Sequence, residues 1–248
     1  MTTWVPGALA PAPQAASRGR MLAAQTKAEL TLTLRNGEQV LLTLVIPLGL
    51  LFVLSKVPFV SVTGRRVDFF TPGILALAVM SSAFTGQAIA TGFERQYGVL
   101  KRLGATPLPR SVLMGAKTLG VLVVEALQVA LIGGLALALG WQPHGSVLGV
   151  LLLVALGTAA FSGLGLLLGG TLHGLTTLAV ANLLWFVLLA LGGVVFPLHE
   201  YGGAEHVLQL LPTAALSDGL RQLLQHGRLV VHDLVTLAVW AVVSLTAA

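Results

Sequence analysis

The sequence predicts an all-α membrane protein with six transmembrane helices and an N-terminal interfacial helix, and three observations predict it. Of 248 residues, 56% are hydrophobic and only 9% are charged, where a soluble globular domain carries roughly 25% charged residues. A soluble chain of this size cannot hide so much apolar surface, because its own surface must be covered with polar groups. The 74 residues between Glu125 and Glu200 contain no Asp, Glu, Lys or Arg. A membrane helix needs about 20 apolar residues, so this stretch alone holds roughly three spans. The third observation is that Lys and Arg gather in a few short segments between apolar runs, as they do beside membranes. A soluble enzyme and a disordered chain are both excluded. The chain has no cysteine, which excludes disulfides, thiolate chemistry and Cys-ligated metals.

Residues 1 to 17, with Pro6, Pro11 and Pro13 among Ala and Gly, read as a flexible tail. They lack the basic and apolar regions of a signal peptide. Residues 18 to 248 read as a single membrane domain. Its first segment, 18 to 38, carries six charges. Over Ala28 to Arg35 it alternates apolar and polar, which taken alone is a strand pattern. Its place just before a membrane span favours a helix along the interface instead.

Six spans are expected: about Gln39 to Ser55 with a kink at Pro47, Phe69 to Phe93, and Thr118 to Leu139 interrupted by Glu125. The fourth and fifth lie within Gly145 to Leu172 and Gly174 to Pro197, and the sixth runs from about Leu229 to Ala248. Helices suit this setting because they satisfy their own backbone hydrogen bonds. With the N-terminus inside, 9 of the 14 basic residues fall on the cytoplasmic side, as the positive-inside rule requires. The net charge of +5 therefore reads as topology, and no nucleic-acid partner is expected. Gly145 and Gly149, Gly165 and Gly169, and Gly170 and Gly174 recur at helix-packing spacing. They fit packing within one bundle or a contact between subunits. Repeats of the kind that build secondary transporters are not evident.

The densest charge cluster lies between the second and third spans: Glu94, Arg95, Lys101, Arg102, Arg110 and Lys117. Read as a helix from Glu94, it sets Tyr97, Leu100 and Leu103 on one side and Arg95, Lys101 and Arg102 elsewhere. Pro107 and Pro109 end it. Such a helix either anchors the chain on lipid or docks on a partner. A second distinctive stretch follows the fifth span, where Leu216, Leu220, Leu223 and Leu224 share a helical face away from Asp218, Arg221 and Gln222.

The string Glu94-Arg95-Gln96-Tyr97-Gly98-Val99-Leu100-Lys101-Arg102-Leu103-Gly104-Ala105-Thr106-Pro107-Leu108 resembles the loop of the type-2 ABC exporter permeases. Those carry E-R-x-x-G-x-L-x-R-L-x-A-T-P-L after the second of six spans. Gly193-Val194-Val195-Phe196-Pro197-Leu198, then Leu211-Pro212 and Leu220-Arg221-Gln222-Leu223-Leu224, is similar to the family's outer segment. The resemblance covers nearly the whole chain after residue 18.

It implies a permease subunit with no ATPase and no cofactor of its own. ATP and Mg would be held by two copies of a separate ABC ATP-binding subunit. The loop at about 94–108 would be the coupling helix. There Glu94, Arg95, Tyr97, Gly98, Leu100, Arg102, Leu103, Thr106 and Pro107 would meet that subunit, with charges at the rim setting register. The segment at about 197–228 would be re-entrant from the outside, with Phe196, Pro197, Leu211, Pro212 and Arg221 capping the path. A helix lying flat on the outer surface is the other reading of that segment. A second permease chain, identical or homologous, would complete the path within lipid. The family also implies export of a hydrophobic or amphipathic drug, antibiotic or lipid across a bacterial cytoplasmic membrane.

Glu125 is the one charge inside a predicted span, and intramembrane charges are costly. It fits structural pairing, contact with a substrate, or a proton relay. A proton-coupled secondary transporter using Glu125 is therefore the alternative function. Three other motifs fail. Gly115-Ala116-Lys117-Thr118 lacks the glycines of a phosphate loop, since positions 111 and 116 are Ser and Ala. Ala160-Phe161-Ser162-Gly163 has Ala where an intramembrane serine protease would carry Gly before Phe161, and His173 lies in a predicted loop beyond its span. Gly203 stands where His199-Glu200 would need a second His to bind metal. No metal site is expected.

Overall fold

The computed structural model describes residues 15–58, 64–194 and 198–248, which contain helices and no strand. After α1 (Arg18–Arg35), α2 (Gly37–Val40) runs through a π-helical turn at Leu41–Val45 into α3 (Ile46–Lys56). Next, α4 (Arg66–Val79) passes through a second π-helical segment, Met80–Gly86, into α5 (Gln87–Gln96), forming one rod of 31 residues. The short α6 (Val99–Gly104) precedes α7 (Arg110–Ala138), α8 (Val147–Thr171) and α9 (Gly174–Leu191). A 3-10 segment at Leu198–Ala204 and α10 (Glu205–Leu208) lead to α11 (Pro212–His226) and α12 (Val231–Ala247).

Four of these are long and apolar enough to cross a membrane: Arg66–Gln96, α7, α8 and α9. They contain the expected second to fifth spans. The first and sixth coincide with shorter apolar helices, Thr43–Lys56 and Val231–Ala247. The first is shorter because the helix leading into it begins Gly-Glu-Gln.

α1 settles the ambiguous alternation as helix. Its inward positions are Met21, Leu22, Gln25, Thr26, Glu29, Leu30 and Thr33, a stripe of helical period. That stripe rests on the first turns of α7, where Gly115 and Gly120 give Leu22 and Glu29 room to approach.

Two prolines fall within apolar helical runs, and each removes one backbone donor. Pro47 has no N–H to give the Thr43 carbonyl, which instead accepts 2.7 Å from Gln128 Nε2 on α7. The wide π turn at Leu41–Val45 lies immediately before it. Pro72 likewise gives nothing to the Asp68 carbonyl, which accepts 3.0 Å from Gln225 Nε2 on α11. Side chains of neighbouring helices thus repair both breaks, which a low-dielectric surrounding demands.

The rod Arg66–Gln96 and α8 form the centre of the bundle. The most apolar stretch of the rod is 83% buried, against 17% for α9, so α9 turns most of its leucines outward. Lipid is as apolar as leucine, so contacts between such helices depend on close packing rather than on the hydrophobic effect. The glycines of α8 supply that closeness. A methyl group at Gly165 would lie 2.7 Å from the Phe84 carbonyl oxygen, and one at Gly169 would lie 2.6 Å from that of Ala88. Gly145 and Gly149 meet Leu223 of α11, and Gly174 meets Phe93 and Gln96. Nothing lies within 4 Å of a methyl at Gly170. All but one of the spaced glycines therefore serve packing within this bundle.

α11 is not a helix lying on the surface. Eleven of its residues are buried, and it packs between α4, α8 and α12. Leu216, Leu220, Leu223 and Leu224 are at most 2% exposed, as the apolar face requires. Pro212 starts the helix at a position where a missing N–H costs nothing.

Candidate functional site

At one end of the bundle the rod gives way to the charged loop. The Tyr97 N–H bonds the Phe93 carbonyl at 2.8 Å and the Gly98 N–H bonds that of Arg95 at 3.1 Å. Gly98 then turns the chain with φ +71°, a left-handed conformation that glycine adopts without steric cost. The expected single helix from Glu94 is therefore two helices. Glu94 and Arg95 close α5, and only Val99–Gly104 forms the loop helix. Pro109 caps the start of α7.

Tyr97 is 67% exposed and stacks on Phe93 with ring centres 6.0 Å apart. Arg95, Lys101, Arg102, Thr106 and Pro107 are exposed too, whereas Leu100 and Leu103 are half-buried. Two of the arginines also serve the chain itself. Arg95 donates to the Leu172 carbonyl at the end of α8 at 3.4 Å, and Arg102 to the Tyr97 carbonyl at 3.3 Å. The Thr106 hydroxyl donates to the Leu103 carbonyl at 2.6 Å. An exposed cationic surface with one aromatic ring results.

Glu94 does not lie on that surface. Its Oε1 is 2.7 Å from Lys117 Nζ, and the same ammonium is 3.1 Å from Glu29 on α1. Lys117 has a side chain only 4% exposed. Glu94 belongs to the last turn of α5, on the side that faces α7. Glu29 was not among the expected site residues. Its only sequence signal is its place as the lone acid among Arg18, Arg20, Lys27 and Arg35. Beside the triad lies a cavity of about 60 Å³ lined in part by Glu29, Thr33, Ser82, Gln87 and Lys117.

Glu125 is fully buried between α7 and α8, where the Thr158 hydroxyl donates to its carboxylate. That hydroxyl also lies 2.7 Å from the Val154 carbonyl. Gln128, one turn further along, accepts from Ser82 at 3.2 Å. Glu125 thus faces the interior of this subunit.

At the opposite end, Phe196 and Pro197 lie outside the described residues. Leu211 caps the start of α11. Arg221, expected on the polar side of its helix, is instead 7% exposed. Its guanidinium donates to the Gly193 carbonyl at 2.9 Å, stands 5.2 Å over the Phe69 ring, and lies 4.0 Å from Asp218. Burial lowers the Arg221 pKa, with Asp218 opposing. Burial also raises the Asp218 carboxyl above its ordinary range, and Arg221 opposes that shift in turn. The Ser217 hydroxyl donates to the Gly192 carbonyl at 2.7 Å. Arg221 and Ser217 therefore fasten α11 to the end of α9, where the two glycines leave carbonyls without helical partners.

The family model described as ABC-2 type transporter matches residues 21–224. No curated protein matches the chain.

Proposed function

The chain belongs to the ABC-2 type transporter family, and from that premise we propose that it is the permease half of an ATP-driven exporter. The membrane domain itself performs no phosphate chemistry. ATP and Mg bind two partner subunits, whose closure displaces the 94–108 loop and opens a path between this chain and a second permease, identical or homologous. The chain crosses a bacterial cytoplasmic membrane six times with its N-terminus inside, the continuous helical run Gly37–Lys56 and α12 serving as first and last spans. The cargo is a hydrophobic or amphipathic drug, antibiotic or lipid.

The observation that carries this reading is the exposed end of the loop. Tyr97, with Arg95, Lys101 and Arg102 around it, combines an aromatic anchor with rim charges, as docking surfaces do. Its short helix is held by turns at both ends, so a push on the loop reaches the rod and α7 rather than dissipating in a slack linker. Coupling requires only that the partner bind two arrangements of this loop with different affinity. Glu94 acts from inside the loop's base, not at the rim.

Co-expression with a candidate ATP-binding subunit tests the proposal. A stoichiometric complex whose transport requires ATP, and loses it on charge reversal of Arg95 and Arg102 while the complex still inserts, supports the reading. A chain that transports alone down a proton gradient overturns it.

A further inference from the structure

We propose that Lys117 is a positioning residue whose ammonium pins both flanks of the charged loop to α1, so that α1 and the loop move as one body. The proposal rests on the coupling reading above and specifies its mechanical route. Glu94 stands three residues before the Tyr97 turn, and Lys117 lies two turns into α7. Their 2.7 Å ion pair closes across the base of the loop. Glu29, 3.1 Å from the same ammonium, brings in α1.

α1 has no fully buried residue, so apolar packing alone holds it weakly. The triad adds a shielded ionic attachment, with side-chain exposures of 16% for Glu29 and 20% for Glu94. Ion pairs shielded in this way are costly to break, because an unpaired buried charge remains. The loop therefore cannot swing about its base without carrying α1. Gln87 borders the adjoining cavity, is 6% exposed, and has no hydrogen-bond partner for either side-chain polar atom.

The chain has no cysteine, so spin-label pairs can be introduced without background. Labels at the exposed positions Ala28 and Ala105, and at Ala105 and Leu183 on α9, are compared in the complete permease–ATPase complex in nanodiscs, without nucleotide and with ATP and vanadate. The expected result is a shift between 105 and 183 with no shift between 28 and 105. Lys117→Met makes the 28–105 distance nucleotide-dependent. The permuted pair Glu94→Lys with Lys117→Glu, which keeps two carboxylates and one ammonium, restores the fixed distance. Should Lys117→Met fail to assemble, Glu29→Gln, which keeps the Glu94–Lys117 pair and releases α1, makes that distance nucleotide-dependent in its place. A 28–105 distance that shifts in the unaltered chain, or that stays fixed in the variant that releases α1, overturns the proposal and leaves the coupling reading standing. No shift at 105–183 overturns both.

Discussion

Replacing Gln128 by Met removes the donor that serves the Thr43 carbonyl, and the consequence depends on Pro47. With proline in place, residue 47 offers that carbonyl no N–H, and its donor Gln128 is 2% exposed. Losing one hydrogen bond to a half-buried acceptor costs about 0.5–1.5 kcal/mol. For a domain of this size, each kcal/mol lowers Tm by roughly 2–4 °C. Pro47→Ala returns an N–H to the backbone and gives the carbonyl an alternative. Gln128→Met should therefore cost about 0.5–1 kcal/mol less in the Pro47→Ala background. Ser82 loses its acceptor in both backgrounds, so that loss cancels. The assay is thermal or denaturant unfolding of the four proteins in one detergent, read as a double-mutant cycle. Strict additivity would refute the reasoning, since it would mean that Pro47 and Gln128 do not share a carbonyl.

Three further outcomes follow from the packing. Gly165→Ala drives a methyl into the Phe84 carbonyl at 2.7 Å and should destabilise by about 1–3 kcal/mol. Gly133→Ala, with nothing within 4 Å, should be neutral or gain about 0.5–1 kcal/mol; equal melting temperatures for the two variants would contradict the α8 crossing. Glu125→Gln keeps an acceptor for Thr158 while removing the charge, so ATP-driven transport should persist, and its abolition in vesicles would return Glu125 to the path. Arg221→Met orphans the Gly193 carbonyl and should lower stability by about 1.5–3 kcal/mol, measured by the same unfolding assay; an unchanged melt would show that α11 is fastened otherwise.

Much of the fold was legible because lipid imposes one rule on every span. Uncharged runs of sufficient length, bounded by charged or glycine-rich segments, must be helices. The π turns were not legible, since they arise where a proline or a crowded crossing forces an extra residue into a turn. The glutamines that repair the prolines could have been found. Gln128 is a conspicuous polar residue in an apolar run, as Pro47 is a conspicuous break in another, but only tertiary contact pairs them. The loop was legible in composition and not in register. Gly98 divides it, so Glu94 belongs to α5, where it pairs inward with Lys117 beside Glu29, while Tyr97 at the turn stays outside. The burial of Arg221 was not legible for a related reason. Helical periodicity separates apolar from polar faces, yet α11 is packed on several sides, and its arginine is buried because backbone carbonyls await it.

The most direct test of the central claim is site-specific cross-linking from the loop. A photoreactive residue at Tyr97, in the purified complex, should capture the ATP-binding subunit in a nucleotide-dependent manner, while the same residue at the outward-facing Leu183 captures none. An intact, transport-active complex in which position 97 never reaches the ATP-binding subunit would contradict the account.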